Sequence, residues 1–363
     1  MKSSHRFTIC LCLLVVLSLN QARAAFTSFY VFGDSVSSTT NGPGDQYYYS
    51  TNGLRWSNGR VWVEVLAQRQ SLTCDSNKNW SYYGHDSATL VSQIGSFNAP
   101  TNAASAALVV VWVNNADFVN DMGVIYPSLN PTTWANAINL SLTNHYKVVT
   151  NLYAKGIRTL VMPNAVDISK IPQFVFNSTA NKAFIRQRVM DFNAGFNLLV
   201  SNLTATLPNL KIVVPDIFEL LDDVLIHSAN YGLTNALYLS QSIDALEDPL
   251  LSDLSLNGPG ANYIFWDYQA PTAKFHMHIA DKAQQLLSPA SISDIVSVNT
   301  SNQLSMADLP VGRNGVVEVS TNFLDWSTAA NVTTTNLNQS ILVNAPGELG
   351  FYRLRFPFLW SWP

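Results

Sequence analysis

The stretch Ser28-Phe29-Tyr30-Val31-Phe32-Gly33-Asp34-Ser35 is a run of aromatic and β-branched residues that ends in a turn of small residues. Comparable apolar runs follow at residues 108–113, 159–162 and 212–214, and long amphipathic stretches separate them. Buried strands that alternate with helices are typical of βαβ units around a parallel sheet. Residues 26–287 are therefore predicted to form an α/β fold, a three-layer α/β/α sandwich.

The amphipathic stretches between these runs predict the helices. Trp134, Ile138, Leu142 and Val149 recur at the spacing of one helix face. Further helices are expected over residues 58–70, 179–206, 216–226 and 272–287.

The helical pattern stops at Ser288, and short strand-like runs separated by Gly, Asn and Pro follow it. These runs cover residues 316–320, 341–343 and 351–356. We predict a domain boundary after residue 288 and a small all-β, sandwich-like module over residues 289–363. Its sequence contains no catalytic constellation, which favours a packing or tethering role.

Charge argues against two classes of partner. Charged residues make up 12% of the 363 residues, and the net charge is -4. Lys2, Arg6 and Arg23 lie in the first 24 residues, so the rest of the chain is more acidic still. An acidic surface repels phosphate backbones and anionic membranes alike. We therefore expect no nucleic-acid partner.

Residues 1–24 are predicted to be a signal peptide. Lys2 and Arg6 precede an apolar run over residues 7–19, and Ala22-Arg23-Ala24 is a small-x-small cleavage site. The alternative is a membrane anchor, but the run is shorter than the roughly 20 residues that a spanning helix needs. We expect a secreted or extracytoplasmic protein that begins near Ala25 and has no transmembrane segment.

Cysteine usage limits the covalent and metal chemistry. Cys10 and Cys12 would leave with the signal peptide, and Cys74 would remain alone. A single thiol forms neither an internal disulfide nor a cysteine metal cluster. No metal and no organic cofactor are expected.

Ser35 is the first candidate for chemistry, because a buried strand delivers it to the carboxyl edge of the sheet, where α/β folds bind ligands. Two later segments add to it: Trp56-Ser57-Asn58-Gly59-Arg60-Val61-Trp62 and Trp266-Asp267-Tyr268-Gln269-Ala270-Pro271-Thr272. With these segments, the chain resembles the GDSL, or SGNH, family of serine esterases and lipases over nearly all of residues 26–287. The resemblance implies a flavodoxin-like hydrolase domain over residues 25–288.

Roles follow from this resemblance position by position. Ser35 matches the nucleophile, and its backbone N–H matches one oxyanion donor. Gly84 matches the glycine of the second family block, which supplies another N–H. Asp267 matches the acid that orients the catalytic histidine. The implied substrates are carboxylic esters, such as acyl groups on lipids or polysaccharides.

Two positions depart from the family pattern. Ala116 stands where the family has its oxyanion asparagine, and Asn115 or Asn114 could substitute if the turn shifts by one residue. Ala270 stands where the family has the general-base histidine. Whether this alanine is natural or introduced stays open in the sequence.

His85, next to Gly84, is the candidate substitute base, with an ordinary loop histidine as the alternative. His276 and His278 lie too far along the last helix to replace position 270 locally.

Three hypotheses remain at this point. The first is a secreted serine ester hydrolase that acts through an acyl-enzyme on Ser35, with its activity in doubt because of Ala270. The second is a non-catalytic extracellular protein that uses the same pocket to bind a carbohydrate or acyl ligand. The third is an extracellular structural module.

Overall fold

A computed structural model describes residues 26–39, 55–100, 103–234, 237–238, 241–347 and 350–356. The predicted signal peptide, residues 1–24, lies outside the described residues.

A parallel four-stranded sheet forms the centre of the first domain, in the order β1-β2-β3-β4. Its strands are β1 (Ser28–Gly33), β2 (Ala107–Trp112), β3 (Thr159–Val161) and β4 (Lys211–Val213). Every residue of β2 is buried, as expected for a strand that helices cover on both faces. The four predicted strand segments coincide with β1 to β4 to within one residue at each end.

A further segment runs along the free edge of β1. Asn79 forms a parallel bridge with Val31. Trp80 N donates to Val31 O at 2.8 Å, and Tyr82 N donates to Gly33 O at 3.3 Å. With this segment in second place along the chain, the strand order becomes 2-1-3-4-5, which is the flavodoxin-like order. The predicted fold class is confirmed.

The helices that cover the sheet are α1 (Trp62–Arg69), α2 (Ser87–Ser96), α3 (Asn114–Val124), α4 (Pro131–Ala154), α5 (Thr179–Thr206), α6 (Ile217–Ile226) and α7 (Ala273–Leu287). Polar side chains cap several N-termini; Asp86, Asn130 and Asp216 each accept a backbone N–H of the following turn. Helix α7 begins later than the expected residue 272, because Thr272 is its N-cap and accepts the N–H of Phe275. Helices α2 and α3 were not predicted.

The last part of the described chain is all antiparallel β structure. Its strands are β7 (Ser291–Val298), β8 (Ser301–Ala307), β9 (Asn314–Ser320), β10 (Ser327–Thr333), β11 (Gln339–Asn344) and β12 (Phe351–Arg355), after a short hairpin of β5 (Leu237–Tyr238) and β6 (Gln241–Ser242). They form two three-stranded sheets, β11-β8-β7 and β10-β9-β12. A separate small core lies between them and includes Leu304, Met306 and Val317. We call this region the β module.

The β module contacts the far ends of α1 and α7. Asp281 of α7 forms ion pairs with Arg69 of α1, at 2.6 Å, and with Arg313 of the β module. Val311 N also donates to Arg69 O at 3.3 Å. Because Asp281 lies in the second half of α7, the β module is remote from the N-terminus of that helix. In the described part of the chain, no helix is both long enough and apolar enough to cross a bilayer.

Candidate active site

Strand β1 ends in a tight turn that presents Ser35. Ser35 begins a single 3₁₀ turn, Ser35–Ser37, and Asp34 is its N-cap. The Asp34 carboxylate accepts the N–H of Val36 at 2.9 Å, and Asp34 N donates to Trp112 O at 3.0 Å. Neighbouring β2 therefore fixes the turn at the carboxyl edge of the sheet.

Glycine is required at position 33 because the turn is tightly closed. A Cβ on Gly33 would lie 2.6 Å from the Cβ of Ser37 and 2.9 Å from Oγ of Ser81. Both distances are far below van der Waals contact, and both neighbours are buried. Any larger residue would displace the 3₁₀ turn and with it Ser35.

Asp34 has an unusual protonation equilibrium. Burial raises the pKa of Asp34 to about 7, against hydrogen bonds from the backbone N–H groups of Val36 and Ala116 that lower it. Asp117 raises the pKa further by charge repulsion. A neutral carboxyl group next to Ser35 is therefore substantially populated near pH 7.

Ser35 lies on a cavity of about 90 Å³ at this edge of the sheet. Gly84, Asn115 and Ala116 share the lining with Ser35, so the predicted nucleophile and oxyanion positions meet in one place. The remaining lining is mostly apolar. It comes from the segment after β3 and from helices α6 and α7.

The oxyanion side of the cavity combines a glycine turn with a helix N-terminus. Gly84 has φ of +79°, a left-handed conformation that other residues adopt only with strain. Asn115 and Ala116 belong to the first turn of α3, whose dipole favours negative charge. The Asp34 carboxylate already receives the N–H of Ala116, so this helix end stabilises negative charge next to Ser35.

The structure separates the two asparagines that could replace the missing oxyanion side chain. Asn115 lines the cavity, and its Oδ1 accepts the N–H of Val166 at 3.0 Å. Asn114 is fully buried and donates from Nδ2 to Pro163 O at 2.9 Å, and it does not line the cavity. Asn115 is thus the better placed substitute for the amide that Ala116 lacks.

Asp117 has a positioning role that the sequence reasoning missed. One carboxylate oxygen accepts the N–H of Ser87 at 2.8 Å, and the other accepts the hydroxyl of Ser141 at 2.5 Å. These bonds tie the first turn of α3 to the start of α2 and to the middle of α4. The signal was available, because Asp117 directly follows the altered position 116 in the same family block.

The turn from Trp266 to Pro271 contains Ala270, the position predicted for the base, and is closed by hydrogen bonds. Oδ1 of Asp267 accepts the N–H of Gln269 at 2.7 Å and that of Ala270 at 2.5 Å. Trp266 N donates to Ala270 O at 2.8 Å. Ala270 is 3% exposed, and its neighbours Gln269 and Pro271 line the cavity on either side of it.

Ser57 and Asn58 hold this turn against the first helix, a role that the family segment containing them did not reveal. Ser57 Oγ donates to Pro271 O at 2.9 Å. Asn58 accepts the N–H of Ala273 at 2.8 Å through Oδ1 and donates to Leu256 O at 2.7 Å through Nδ2. Both side chains are completely buried. They therefore position Asp267 and residue 270 through backbone contacts alone.

The histidines of the described chain do not reach the cavity lining. His85 is buried behind β1, where Nδ1 contacts Gly33 O at 2.9 Å and the ring stacks on Tyr82. Burial lowers the pKa of His85 and also lowers that of His276, to about 3. His278 contacts Tyr231 O at 3.0 Å beside the β module. None of these imidazoles is placed where the family histidine would act.

Comparisons with known proteins agree with the predicted family. The GDSL-like Lipase/Acylhydrolase family model matches residues 29–283. A GDSL esterase/lipase of Arabidopsis thaliana is 24% identical over 229 residues, 59% of each chain. The thermolabile hemolysin of Vibrio parahaemolyticus is 21% identical over 69% of this chain and 61% of its own. The chain thus spans less than two thirds of the length of either relative.

One solved structure, an α/β hydrolase enzyme from the metagenome of Lake Arreo, aligns with a TM-score of 0.38 at 13% identity. That alignment covers 71% of this chain and 94% of the other. The family model, in contrast, extends over most of the chain, from β1 to α7. The chain belongs to the GDSL-like lipase/acylhydrolase family.

Proposed function

We propose that this chain is a secreted GDSL-type ester hydrolase that cleaves carboxylic esters through an acyl-enzyme on Ser35. The observation that carries the proposal is the shared cavity of Ser35, Gly84 and the first turn of α3. A nucleophile and preplaced donors in one concave site are the parts that acyl transfer requires. The matched family supports the same reaction class.

In this mechanism, Ser35 Oγ attacks the ester carbonyl carbon and a tetrahedral oxyanion forms. The backbone N–H groups of Ser35 and Gly84 and the Asn115 amide donate to that oxyanion. Collapse of the intermediate breaks the ester C–O bond, the alcohol leaves with a proton, and the acyl group stays on Ser35. Water then attacks the acyl-enzyme, releases the carboxylic acid and restores the serine hydroxyl.

Removal of the proton from the Ser35 hydroxyl is the least favourable step of this reaction. Because Ala270 cannot accept it, the proton has to pass to water instead of to an imidazole. Removal of the base from a serine hydrolase triad lowers kcat by about 10⁶-fold. Oxyanion donors and binding alone leave about 10³- to 10⁴-fold acceleration over water. We expect a slow hydrolase.

A second candidate function is non-catalytic binding of an acyl or carbohydrate ligand in the same cavity. The Asp267 turn favours this candidate. Oδ1 of Asp267 accepts backbone N–H groups of its own turn, so the acid stabilises the fold without a histidine to orient. A pocket that retains its shape without its base can bind an acyl group that it does not cleave.

Hydrolysis of p-nitrophenyl acetate separates these two functions. We expect slow turnover in the unmodified chain, its loss in Ser35→Ala, and an increase on addition of free imidazole, which supplies an external base. Ala270→Gly is the matched variant, since it enlarges the space that imidazole would occupy. Turnover that survives Ser35→Ala unchanged, or complete absence of turnover with imidazole present, would favour the binding function.

Secretion is a separate part of the proposal, and it rests on residues 1–24. N-terminal sequencing of the protein from the culture medium is expected to begin near Ala25. Recovery of Met1 on exported protein would contradict cleavage. The acylated partner, a lipid or a polysaccharide, follows from the ester chemistry of the family.

A further inference from the structure

The Ser35 cavity has an exposed polar side, which we call the mouth, and a buried apolar side, which we call the closed end. Tyr83 and Asn120 are exposed, and Gln269 is half-buried. The rest of the lining includes six side chains that are almost or wholly inaccessible to solvent: Ile168, Ile171, Ile217, Leu221, Phe275 and Ile279. Exposure thus falls from the polar residues to the apolar ones, which indicates where a ligand enters and where it ends.

Two helices form most of the closed end. Ile217 and Leu221 are four residues apart on α6, and Phe275 and Ile279 are four residues apart on α7. Residues at this spacing share one face of a helix, so each helix presents a pair of apolar side chains to the cavity. None of these four side chains has a hydrogen-bonding group. A polar ligand group would therefore lose its water there without compensation.

The volume of the cavity limits the size of what it takes. An apolar cavity of about 150 Å³ holds one benzene, which has six carbons. At the same packing, the cavity of about 90 Å³ has room for about four carbons. An acetyl group would leave part of the cavity empty, and an octanoyl group would exceed it.

We propose that the closed end of the cavity receives the hydrocarbon chain of the acyl group, and that the cavity restricts the acyl group to about four carbons, the carbonyl carbon included. The favoured ester is then of the butyryl type, and Leu221 and Ile279 set the length limit. This inference rests on the proposed function, because it places the acyl carbonyl at Ser35.

Neutral amides test the length limit without any chemical step. Acetamide, butyramide, hexanamide and octanamide share one polar group and differ only in chain length, and ligand-observed NMR titration measures their affinities. Each methylene that enters an apolar site contributes about 0.8 kcal/mol, or about fourfold. Butyramide should bind about 15-fold more tightly than acetamide, and the longer amides should bind no more tightly than butyramide. Octanamide as the tightest ligand, or equal affinities throughout, would overturn the proposal.

Leu221→Ala tests whether Leu221 limits the length of the ligand, and Leu220→Ala is its matched control. Leu220 is the neighbouring buried leucine of α6, and it does not line the cavity. Leu221→Ala should make hexanamide the tightest ligand, whereas Leu220→Ala should leave butyramide the tightest. If Leu221→Ala does not fold, the milder variant Ile279→Val takes its place, because it removes only one methyl group from the closed end. It should favour hexanamide over butyramide by about fourfold relative to the unmodified chain.

Ile185→Val is the control for that smaller change, because Ile185 is buried in α5 away from the cavity. An unchanged length preference in Ile279→Val and in a folded Leu221→Ala would show that neither residue limits the length of the ligand.

Hydrolysis of p-nitrophenyl esters separates this inference from the proposed function. Amide affinities that peak at butyramide without Ser35-dependent hydrolysis would refute the function alone. Ser35-dependent hydrolysis that rises up to octanoate would refute the length limit alone.

Discussion

The proposed nucleophile side and the proposed base side of the cavity use the same architecture and differ in the residues that they present. On the nucleophile side, Asp34 accepts a backbone N–H of its own turn, and Ser35 follows it. On the base side, Asp267 accepts two N–H groups of its own turn, and that turn contains Ala270 instead of the family histidine.

Three of the bonds that hold the base side reach positions 270 to 273, and each of them is made to the backbone. Ser57 contacts Pro271 O, Asn58 contacts Ala273 N, and Asp267 contacts Ala270 N. None of these bonds depends on the side chain at position 270. The difference between the two sides shows that this turn is held without any contribution from the side chain at position 270. The scaffold alone is therefore weak evidence of activity.

Restoring the histidine should have the largest effect on this difference. We expect Ala270→His to increase kcat for p-nitrophenyl butyrate by up to about 10⁶-fold, because the imidazole takes the Ser35 proton while Asp267 orients it. Stopped-flow or steady-state absorbance at saturating ester measures the change. Addition of Ser35→Ala to this variant should abolish the gain.

Gln269→His is the matched control for that experiment, since it places an imidazole one residue away, on a residue that already lines the cavity. It should gain far less, because its spacing from Asp267 differs from that of the family. An equal gain in both variants would show that any imidazole near Ser35 suffices. In that case the turn contributes no orientation.

The next largest effect is expected from Asp34→Asn, which changes the free energy of unfolding and its pH dependence. Its pKa of about 7 in the folded chain lies above the ordinary value of 3.8, so folding is favoured by its proton. The stability it contributes is complete below about pH 4 and is lost as the pH rises through about 7. Relative to Asp34→Asn, the free energy of unfolding should fall by about 4 kcal/mol between pH 4 and pH 8.

Urea denaturation at several pH values measures this change. Asp75→Asn is a suitable control, because Asp75 caps a 3₁₀ turn in the same way but is only partly buried. It measures what the change of a capping carboxylate to an amide costs in itself. Parallel stability curves for the unmodified chain and Asp34→Asn would contradict the raised pKa.

The oxyanion asparagine gives a smaller gain in rate. Ala116→Asn should increase kcat by about 10²- to 10³-fold, since one donor to the oxyanion is worth about that much. The gain should be less if Asn115 already donates there, and Asn115→Ala in the unmodified chain measures that contribution. A gain from Ala116→Asn larger than that from Ala270→His would reverse our assignment of the main defect.

Removal of the β module should affect the cavity least. The chain that ends at Ser288 keeps the bond from Gln70 to Ser288 and the ion pair of Arg69 with Asp281. It loses the contact of Arg313 with Asp281, which corresponds to about 1 kcal/mol of stability for a partly exposed pair. Butyramide affinity should remain within twofold, as NMR titration of residues 25–288 can show. Loss of a cooperative unfolding transition would contradict the boundary.

Much of the fold was predictable because its strands and long helices carry strong patterns. The four predicted strand segments match β1 to β4 closely, and α5 coincides with the predicted residues 179–206. Helix α3 was missed because Asn114 and Asn115 at its start resemble a polar loop. Strands β7 and β10 were missed because many of their residues are exposed and polar, and β8 was missed because four of its seven residues are polar.

The residues of the site were predictable only through family motifs. Ser35, Gly84 and Asn115 come from separate parts of the chain, and tertiary packing alone brings them to one cavity. The position of His85 behind β1 was not predictable, since it depends on the contact of its ring with Gly33 O. The apolar end also depends on packing, because Leu220 and Leu221 are equivalent in sequence and only Leu221 lines the cavity.

The hydrogen bonds of Asn58 can form only late in the synthesis of the chain. Its two partners, Leu256 and Ala273, are 198 and 215 residues further along the chain. Ribosomes add about 5 to 20 residues per second, so Asn58 is made roughly 10 to 40 seconds before Ala273. The nascent chain can form the Ser35 turn long before it can anchor the Asp267 turn. The two sides of the cavity therefore mature at different stages, and the side that contains Ala270 is the later one.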